Sequence, residues 1–164
     1  MRKFITNIRI VPFFILLAFL SASCKSTKST VQSGPGTTTD KVIQTAKSYV
    51  GTKYKYGGTS RSGIDCSGLV LLSFKSAGIQ LPRTSAEQSQ AGKKVKLSKL
   101  QKGDLVFFSA KKRSRKITHV GIVTERNGPK DIKFIHASTK AGVIEADLYA
   151  PYYISIFKKA VRVL

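Results

Sequence analysis

Apolar residues recur at helical spacing in two segments of this chain. The first segment, residues 40–50, opens on Asp40, a suitable N-cap, and is followed by Gly51, which stops helices. The second segment, residues 66–77, is apolar on most sides and is followed by Gly78. We therefore predict a mostly buried second helix and an amphipathic first helix, whose inward face carries Val42, Ile43, Ala46 and Val50.

Alternation of apolar and polar residues dominates the second half of the chain. Before it, Thr84 with Glu87 and Ser85 with Gln88 have the spacing of a capping box and predict a short surface helix. Strand-type segments follow at 105–109, 118–124, 132–137 and 154–163, with a shorter one at 143–145. The links between them are too short for crossover helices, so antiparallel pairing is expected. The predicted fold class is α+β, with N-terminal helices packed on a mostly antiparallel sheet of five to six strands.

The N-terminus has the pattern of a secretory signal peptide. Basic residues precede the apolar run 10–20, and small residues at 21–23 form a cleavage site. The apolar run is shorter than the roughly 20 residues that span a bilayer core. We therefore expect residues 1–23 to be a cleaved leader rather than a permanent transmembrane helix.

Cys24 follows the cleavage site and resembles the lipid-modified cysteine of a bacterial lipobox. Ser21 stands where such boxes usually have leucine, and Leu20 lies one residue further back. Lipidation of Cys24, with palmitate as an expected acyl chain, is favoured over a free or trimmed cysteine. The Ser/Thr/Gly-rich segment 24–39 predicts a flexible tether, which leaves residues 40–164 as one folded domain.

The charge balance limits the partners. Lys and Arg total 29 against 8 for Asp and Glu, a net charge of +21. Such a field attracts nucleic acid, an anionic membrane or an anionic polymer such as a cell wall, and does not choose among them. Export makes nucleic acid an unsuitable partner and favours the cell envelope. The basic run 111–116 is interpreted as a solvated loop.

Cys66 begins the second predicted helix and is a candidate nucleophile. A helix start points unpaired N–H groups and a positive dipole end at the sulfur, which lowers the pKa of a thiol. The same N–H groups can hold an oxyanion. The alternative is that Cys66 is a small buried hydrophobic residue, the commonest role of a free cysteine.

The chain has only two histidines, and both lie in predicted strands. His119 shares a strand face with Gly121, whose missing side chain leaves room for another group, and His136 shares a face with Phe134. Neighbouring antiparallel strands would bring the histidines together, with His119 as general base and His136 as its orienting group. Each histidine could instead be structural. A zinc site with Cys66 is weaker, because three protein ligands without a close Cys-x-x-Cys spacing are a weak metal signature.

Six motifs occur in order from Asp40 to the C-terminus, and together they closely resemble the NlpC-type, papain-like cell-wall endopeptidases. The motifs are YKYGG at 54–58, DCSGLV at 65–70, LPRTS at 81–85 with Gln88, KGDLVFF at 102–108, THVGIV at 118–123 and FIHAS at 134–138. The resemblance implies a papain-like fold. It also implies thiol-protease hydrolysis of peptidoglycan stem peptides, between D-glutamate and diaminopimelate or at the D-alanine to diaminopimelate crosslink.

The resemblance also implies the roles of individual residues. It makes Cys66 the nucleophile, His119 the base and His136 the orienting residue, and it places Tyr54 beside the thiolate to help hold the oxyanion. Four further positions match residues that line the family's substrate groove: Asp65, Ser67, Arg83 and Ser85.

The expected protein is a monomer in the bacterial periplasm or at the outer membrane, anchored through lipid on Cys24. No cofactor and no metal are expected. Two other function classes stay open: a papain-like amidase or acyltransferase acting on another substrate, and a non-catalytic wall-binding lipoprotein. Acyltransferase relatives often have histidine ahead of cysteine, whereas here Cys66 comes first. A pure binding module would not need the full set of Cys66, His119 and His136.

Overall fold

The computed structural model describes residues 36–164. The predicted leader, the lipidation site Cys24 and most of the predicted tether lie outside the described residues. Within the described range, no helix combines the length and the apolar character that crossing a bilayer requires.

Helix α1 spans Thr38–Lys47 and is held at its start by a capping box. The Thr37 hydroxyl accepts a hydrogen bond from the Asp40 N–H at 3.1 Å, and the Asp40 carboxylate accepts one from the Thr37 N–H at 3.0 Å. Asp40 is therefore the third helical residue, and the prediction that it is the N-cap was wrong. The helix ends before Val50, which is 56% exposed, so the prediction that Val50 packs inward was also wrong. The other three predicted inward positions are buried: Val42, Ile43 and Ala46.

Helix α2 spans Cys66–Ser76 and confirms the predicted second helix. Asp65 is its N-cap, with Oδ1 accepting a hydrogen bond from the Gly68 N–H at 2.6 Å. Gly78 follows the helix end with a φ of +80°, a conformation that favours glycine. Strands β1 (Thr59–Ser60) and β2 (Gly63–Ile64) form a two-stranded antiparallel hairpin directly before α2.

Helix α3 spans Ser85–Gln88 and is tied to the start of α2. Its capping box joins Thr84 and Glu87, as predicted. The second predicted box was wrong, because Gln88 is fully buried and uses its amide elsewhere. Its Nε2 donates to the carbonyl oxygens of Ser67 at 3.0 Å and Pro82 at 2.9 Å, which holds α3 against α2.

A six-stranded antiparallel sheet makes up the rest of the fold. Its strand order is β3-β8-β4-β5-β6-β7, and every neighbouring pair is antiparallel. The strands are β3 (Lys93–Val95), β4 (Leu105–Phe108), β5 (His119–Arg126), β6 (Ile132–Ser138), β7 (Gly142–Asp147) and β8 (Phe157–Arg162). The predicted fold class is confirmed.

One predicted strand boundary was wrong. Helix α4 spans Pro151–Ile156 and occupies the beginning of the segment predicted as strand 154–163. Pro151 stands in the first turn, where proline's missing N–H costs nothing. The strand begins only at Phe157.

Both faces of the sheet are covered. Helices α1 and α2 pack on one face, against apolar residues that include Val120, Ile122 and Ile135. On the other face a second core gathers Phe108, Phe134 and Ile156, with Tyr153 packed against it. Cys66 belongs to the first core, whereas the strand face of Phe134 and His136 belongs to the second.

The absence of a side chain at Gly121 lets Phe134 pack beside the histidines on the second face. A Cβ built on Gly121 would lie 2.5 Å from Cδ2 of Phe134 and 2.8 Å from the carbonyl oxygen of Ile135. The Phe134 ring thus occupies the room that the sequence pattern indicated, and it stacks on His136 with ring centroids 5.0 Å apart.

We expect Gly121→Ala to destabilise the protein by about 1–3 kcal/mol, because the added methyl group forces Phe134 out of its position. Urea unfolding followed by circular dichroism measures the change. Gly128→Ala is the matched control, since its nearest neighbour is 3.8 Å away. Equal midpoints for the two variants would show that Phe134 can move aside without cost.

Candidate active site

The two histidines form a hydrogen-bonded pair across β5 and β6. His119 is the first residue of β5, and His136 lies near the end of β6. Nε2 of His119 and Nδ1 of His136 are 2.8 Å apart, with the rings nearly perpendicular. His136 is only 2% exposed. The prediction that neighbouring strands bring the histidines together is confirmed.

Tyr153 forms a hydrogen bond with this pair, and the sequence pattern did not predict that contact. Its hydroxyl oxygen lies 2.9 Å from Nε2 of His136, so both ring nitrogens of His136 are occupied. Tyr153 reaches this position from α4, a helix that the alternation pattern did not indicate. No spacing signal distinguishes it from its neighbour Tyr152.

Cys66 is 7% exposed and lies at the first residue of α2. Burial raises the pKa of its thiol, while hydrogen bonding with the N–H groups of Val120, Ser67 and Cys66 itself acts in the opposite direction. The N–H groups at the helix start thus act to lower the thiol pKa, as expected, but desolvation outweighs them and the net shift is upward. The contact with Val120 places the sulfur beside the start of β5, next to His119 in the chain.

Burial also keeps both histidines neutral. It lowers the pKa of His119 to about 4. Burial and the neighbouring His119 lower the pKa of His136 to about 3. At neutral pH the resting site thus holds a neutral thiol and neutral imidazoles, since the charged forms of all three are poorly solvated.

Cys66 opens into a cleft of about 490 Å³. The four residues expected to line a substrate groove all border it, and so does Tyr54. Its lining includes Tyr54, Asp65, Cys66, Ser67, Arg83, Ser85, Lys116 and Thr118. The arrangement of these residues matches the expectation, and their contact with substrate stays a prediction.

Asp65 is the centre of a hydrogen-bond network at the mouth of this cleft. Arg83 forms an ion pair with it, Nη2 to Oδ2 at 2.6 Å and Nη1 to Oδ1 at 3.0 Å. Ser67 and the Gly57 N–H also donate to the carboxylate. Burial acts to raise the pKa of Asp65, but the hydrogen bonds from Arg83 and Gly68 outweigh it and hold the pKa below its usual value. Asp65 and Arg83 thus largely satisfy each other and fix the start of α2.

Tyr54 is placed beside Cys66 by a short backbone pairing. The chain around Tyr54 forms a bridge with Ile64, two residues before Cys66. Burial raises the pKa of Tyr54, and the negative charge of a Cys66 thiolate raises it further. Its hydroxyl therefore keeps its proton at neutral pH and can donate a hydrogen bond into the cleft.

A second cavity of about 270 Å³ lies on the histidine side of the site. His119, His136 and Tyr153 border it, together with the hydroxyl-bearing residues Ser109, Thr118, Ser138, Thr139 and Tyr152. Thr118, the residue before β5, borders both cavities.

Within residues 36–164, no three side chains of His, Cys, Asp and Glu converge as a metal ion requires. The zinc interpretation of Cys66 with the two histidines therefore has no geometric support in this part of the chain.

The folded part of the chain matches a known family. Residues 51–162 match the model of the NlpC/P60 family, a range that holds Cys66, His119, His136 and Tyr153. Tyr54 also lies within it.

Two curated relatives are enzymes by name. The murein DD-endopeptidase MepS/murein LD-carboxypeptidase of Escherichia coli strain K12 is 43% identical over 115 residues, 70% of this chain and 57% of that protein. The bifunctional muramidase/DL-endopeptidase CwlT of Bacillus subtilis strain 168 is 42% identical over 113 residues, 68% of this chain and 32% of that protein. The chain spans less than two thirds of the length of either relative.

A solved structure is similar as well. It is an NlpC/P60 family protein from Bacillus cereus, with a TM-score of 0.70 and 35% identity, covering 77% of this chain and 40% of that one. The shared architecture is the papain-like arrangement of helices on an antiparallel sheet. From the family match over residues 51–162 and the identity to these relatives, the chain belongs to the NlpC/P60 family.

Proposed function

We propose that this protein is a cysteine peptidase that hydrolyses amide bonds in the stem peptides of peptidoglycan. The observations that support the proposal are the hydrogen-bonded His119–His136 pair and Cys66 at a helix start, whose sulfur contacts the N–H of Val120, the residue that follows His119. Acyl transfer requires a nucleophile, a base and an orienting group, and we assign these roles to Cys66, His119 and His136. The names of the two relatives support the substrate class.

The first half of the reaction is attack by sulfur. Nδ1 of His119 takes the thiol proton while the sulfur of Cys66 bonds to the carbonyl carbon of the scissile amide. Because the resting thiol and imidazole are neutral, proton transfer accompanies attack. The oxyanion that forms is stabilised by N–H groups at the start of α2 and by the Tyr54 hydroxyl.

The second half releases both products. The His119 imidazolium gives its proton to the amide nitrogen, the carbon–nitrogen bond breaks, and the amine leaves. The acyl group stays on Cys66 as a thioester. His119 then takes a proton from water, whose oxygen attacks the thioester carbon. The carbon–sulfur bond breaks, the acyl group leaves as a carboxylic acid, and the His119 imidazolium returns its proton to the sulfur of Cys66.

The two cavities suit the two halves of the substrate. The acyl half must reach the sulfur and the oxyanion donors, and these border the larger cleft. The leaving amine must receive a proton from His119, which borders the smaller, hydroxyl-lined cavity. In this arrangement we expect the scissile bond to lie near Thr118, which borders both cavities.

Two bonds are candidates for cleavage. The name of the E. coli relative favours a bond between two D-configured centres, which in the wall is the D-alanine to diaminopimelate crosslink. The name of the B. subtilis relative favours the bond between D-glutamate and diaminopimelate. We assign the crosslink first, because the alignment with this chain covers 57% of the E. coli relative but only 32% of the B. subtilis relative.

We further infer that the enzyme acts in the cell envelope as a lipid-anchored monomer. The support is the leader pattern at 1–23, Cys24 at the cleavage site and the tether pattern behind it. The start of α1 at Thr38 shortens that tether by two residues relative to the predicted end at 39. The net charge of +21 suits an anionic wall or membrane surface.

We expect Cys66→Ala to lower the rate of wall hydrolysis by at least about 10⁴-fold, because no nucleophile is then available to attack the scissile carbonyl. The protein without its leader is incubated with purified peptidoglycan, with crosslinked muropeptides and with isolated tetrapeptide muropeptides. Mass spectrometry identifies the products and thus the bond that is cut.

Ser73→Ala is the matched control for this variant. Ser73 lies on the same helix and donates to the Leu69 carbonyl, away from the cleft, so full activity is expected. Identical products from wild type and Cys66→Ala would refute a cysteine mechanism. Wild-type protein that binds wall but releases no product would instead support a wall-binding role, and hydrolysis confined to non-wall amides would support the amidase alternative.

The pH dependence of kcat/KM tests the neutral resting site. Protonation of His119 removes the base, and burial lowers its pKa to about 4. As the pH rises, kcat/KM is therefore expected to increase with a midpoint near pH 4. It is expected to stay level through neutrality, because the thiol pKa lies above its ordinary value of 9.0. Circular dichroism at each pH separates titration from acid unfolding. An acid limb near the ordinary histidine value of 6.5, in protein that is still folded, would contradict the neutral pair.

A further inference from the structure

His136 has a hydrogen-bond partner on each ring nitrogen. Nδ1 lies 2.8 Å from His119 Nε2, and Nε2 lies 2.9 Å from the Tyr153 oxygen. A neutral imidazole carries one N–H and one lone pair, so one nitrogen donates and the other accepts. The direction of the hydrogen bond at one nitrogen therefore determines the direction at the other.

The proposed chemistry selects one of the two directions. His119 can take the thiol proton at Nδ1 only if its own hydrogen is on Nε2. That hydrogen must then be donated to Nδ1 of His136, which places the hydrogen of His136 on Nε2. In the opposite arrangement, His136 donates from Nδ1, and Nδ1 of His119 already carries a proton and cannot act as a base.

We propose that Tyr153 is a positioning residue that holds His136 in the Nε2–H tautomer by accepting its hydrogen bond. The inference rests on the proposed function, because it assigns the tautomer that His119 needs as a base. Tyr153 itself acts through His136 and does not contact the scissile bond.

The surroundings of His136 make Tyr153 the group that can fill this role. Phe134 stacks on one side of the imidazole, with 18° between the ring planes. The Tyr153 ring packs edge-on against Phe134 at 4.9 Å and against His136 at 5.3 Å. His136 is 2% exposed, so its partners are supplied mainly by the surrounding side chains.

The phenol is suited to accepting this bond. Tyr153 borders the smaller cavity, where its own O–H can be directed to water. Burial raises the pKa of Tyr153, so the group remains a neutral phenol throughout the working range. In residues 36–164 the side-chain hydrogen bonds of the histidines run to each other and to Tyr153 and involve no carboxylate. His136 and Tyr153, which support the base, are therefore uncharged. The direction of their hydrogen bonds is determined by the tautomer of His136 alone.

The Nε2–H tautomer of His136 matters most during proton transfer. When His119 becomes an imidazolium, both of its nitrogens carry hydrogen, and Nε2–H requires an acceptor. Only the Nε2–H tautomer of His136 presents a lone pair at Nδ1. Loss of the Tyr153 oxygen would allow His136 to change tautomer, and the developing charge would then face an N–H group.

The test is Tyr153→Phe in the full-length protein, which removes one oxygen and keeps the ring. The chain has only two histidines, so a ¹⁵N-histidine-labelled sample gives two ring systems, and two-bond ¹H–¹⁵N correlations report the tautomer of each. In the wild type, His136 is expected as Nε2–H. In the variant a substantial Nδ1–H population is expected, with kcat lowered about tenfold and KM unchanged.

Tyr149→Phe is the matched control. It removes the same atom from a partly buried tyrosine that packs against the same core without bonding to a histidine. Both its spectrum and its kcat are expected to match the wild type. An Nδ1–H tautomer for His136 in the wild type would overturn the proposal even if Tyr153→Phe failed to fold.

Other outcomes of the same experiment overturn it as well. A fall in kcat without a change of tautomer, or a change of tautomer without a fall in kcat, would separate Tyr153 from the role assigned to it. A rise in KM alone would make the hydroxyl a substrate contact. Absence of hydrolysis by the wild type would refute the proposed function, and the wild-type spectrum would still report the tautomer independently.

Discussion

The hydrogen bond between His119 and His136 is the interaction on which the site depends. It forms because β5 and β6 pair antiparallel, with Ile122 opposite Ile135 and Val123 opposite Phe134. This register places both histidines on the same sheet face, toward the same end of the two strands. A slip of one residue in either strand would turn its side chains to the opposite face and separate the pair. The register is held by the two cores, which bury alternate residues of both strands.

Two further contacts fix the position of Cys66, the proposed nucleophile. Asp65 caps α2 and binds Arg83, so the helix start that carries Cys66 is held from two sides. The Val120 N–H interacts with the sulfur, which links the first core to the start of β5. Cys66 approaches from the face covered by helices, whereas the histidines belong to the opposite face. The candidate site thus lies where the strand β5 begins and the two faces meet.

The fold was largely predictable from pattern, and the errors have identifiable causes. The periodicity of residues 66–77 and the alternation in β4, β5 and β6 come from strong burial on fixed faces, which a sequence displays directly. Strand β3 is three residues long and has two exposed lysines, so it carries no apolar alternation. Helix α4 is six residues long, and its apolar residues read equally well as the start of a strand. The observed start of α1 differs from the predicted one because two polar residues, Thr37 and Asp40, are both suitable N-caps.

The sequence by itself determined which candidate groups the chain offers and their order, since Cys66, His119, His136 and Tyr54 are recognisable from motif and residue type. Only the tertiary structure decided how those groups are poised. Desolvation raises the pKa of Cys66 and lowers those of the histidines, and it depends on neighbours that are distant in the chain. The contact of Tyr153 with His136 likewise depends on where α4 docks. Local patterns record which face a residue is on, whereas burial and hydrogen-bond partners arise only when separate elements pack together.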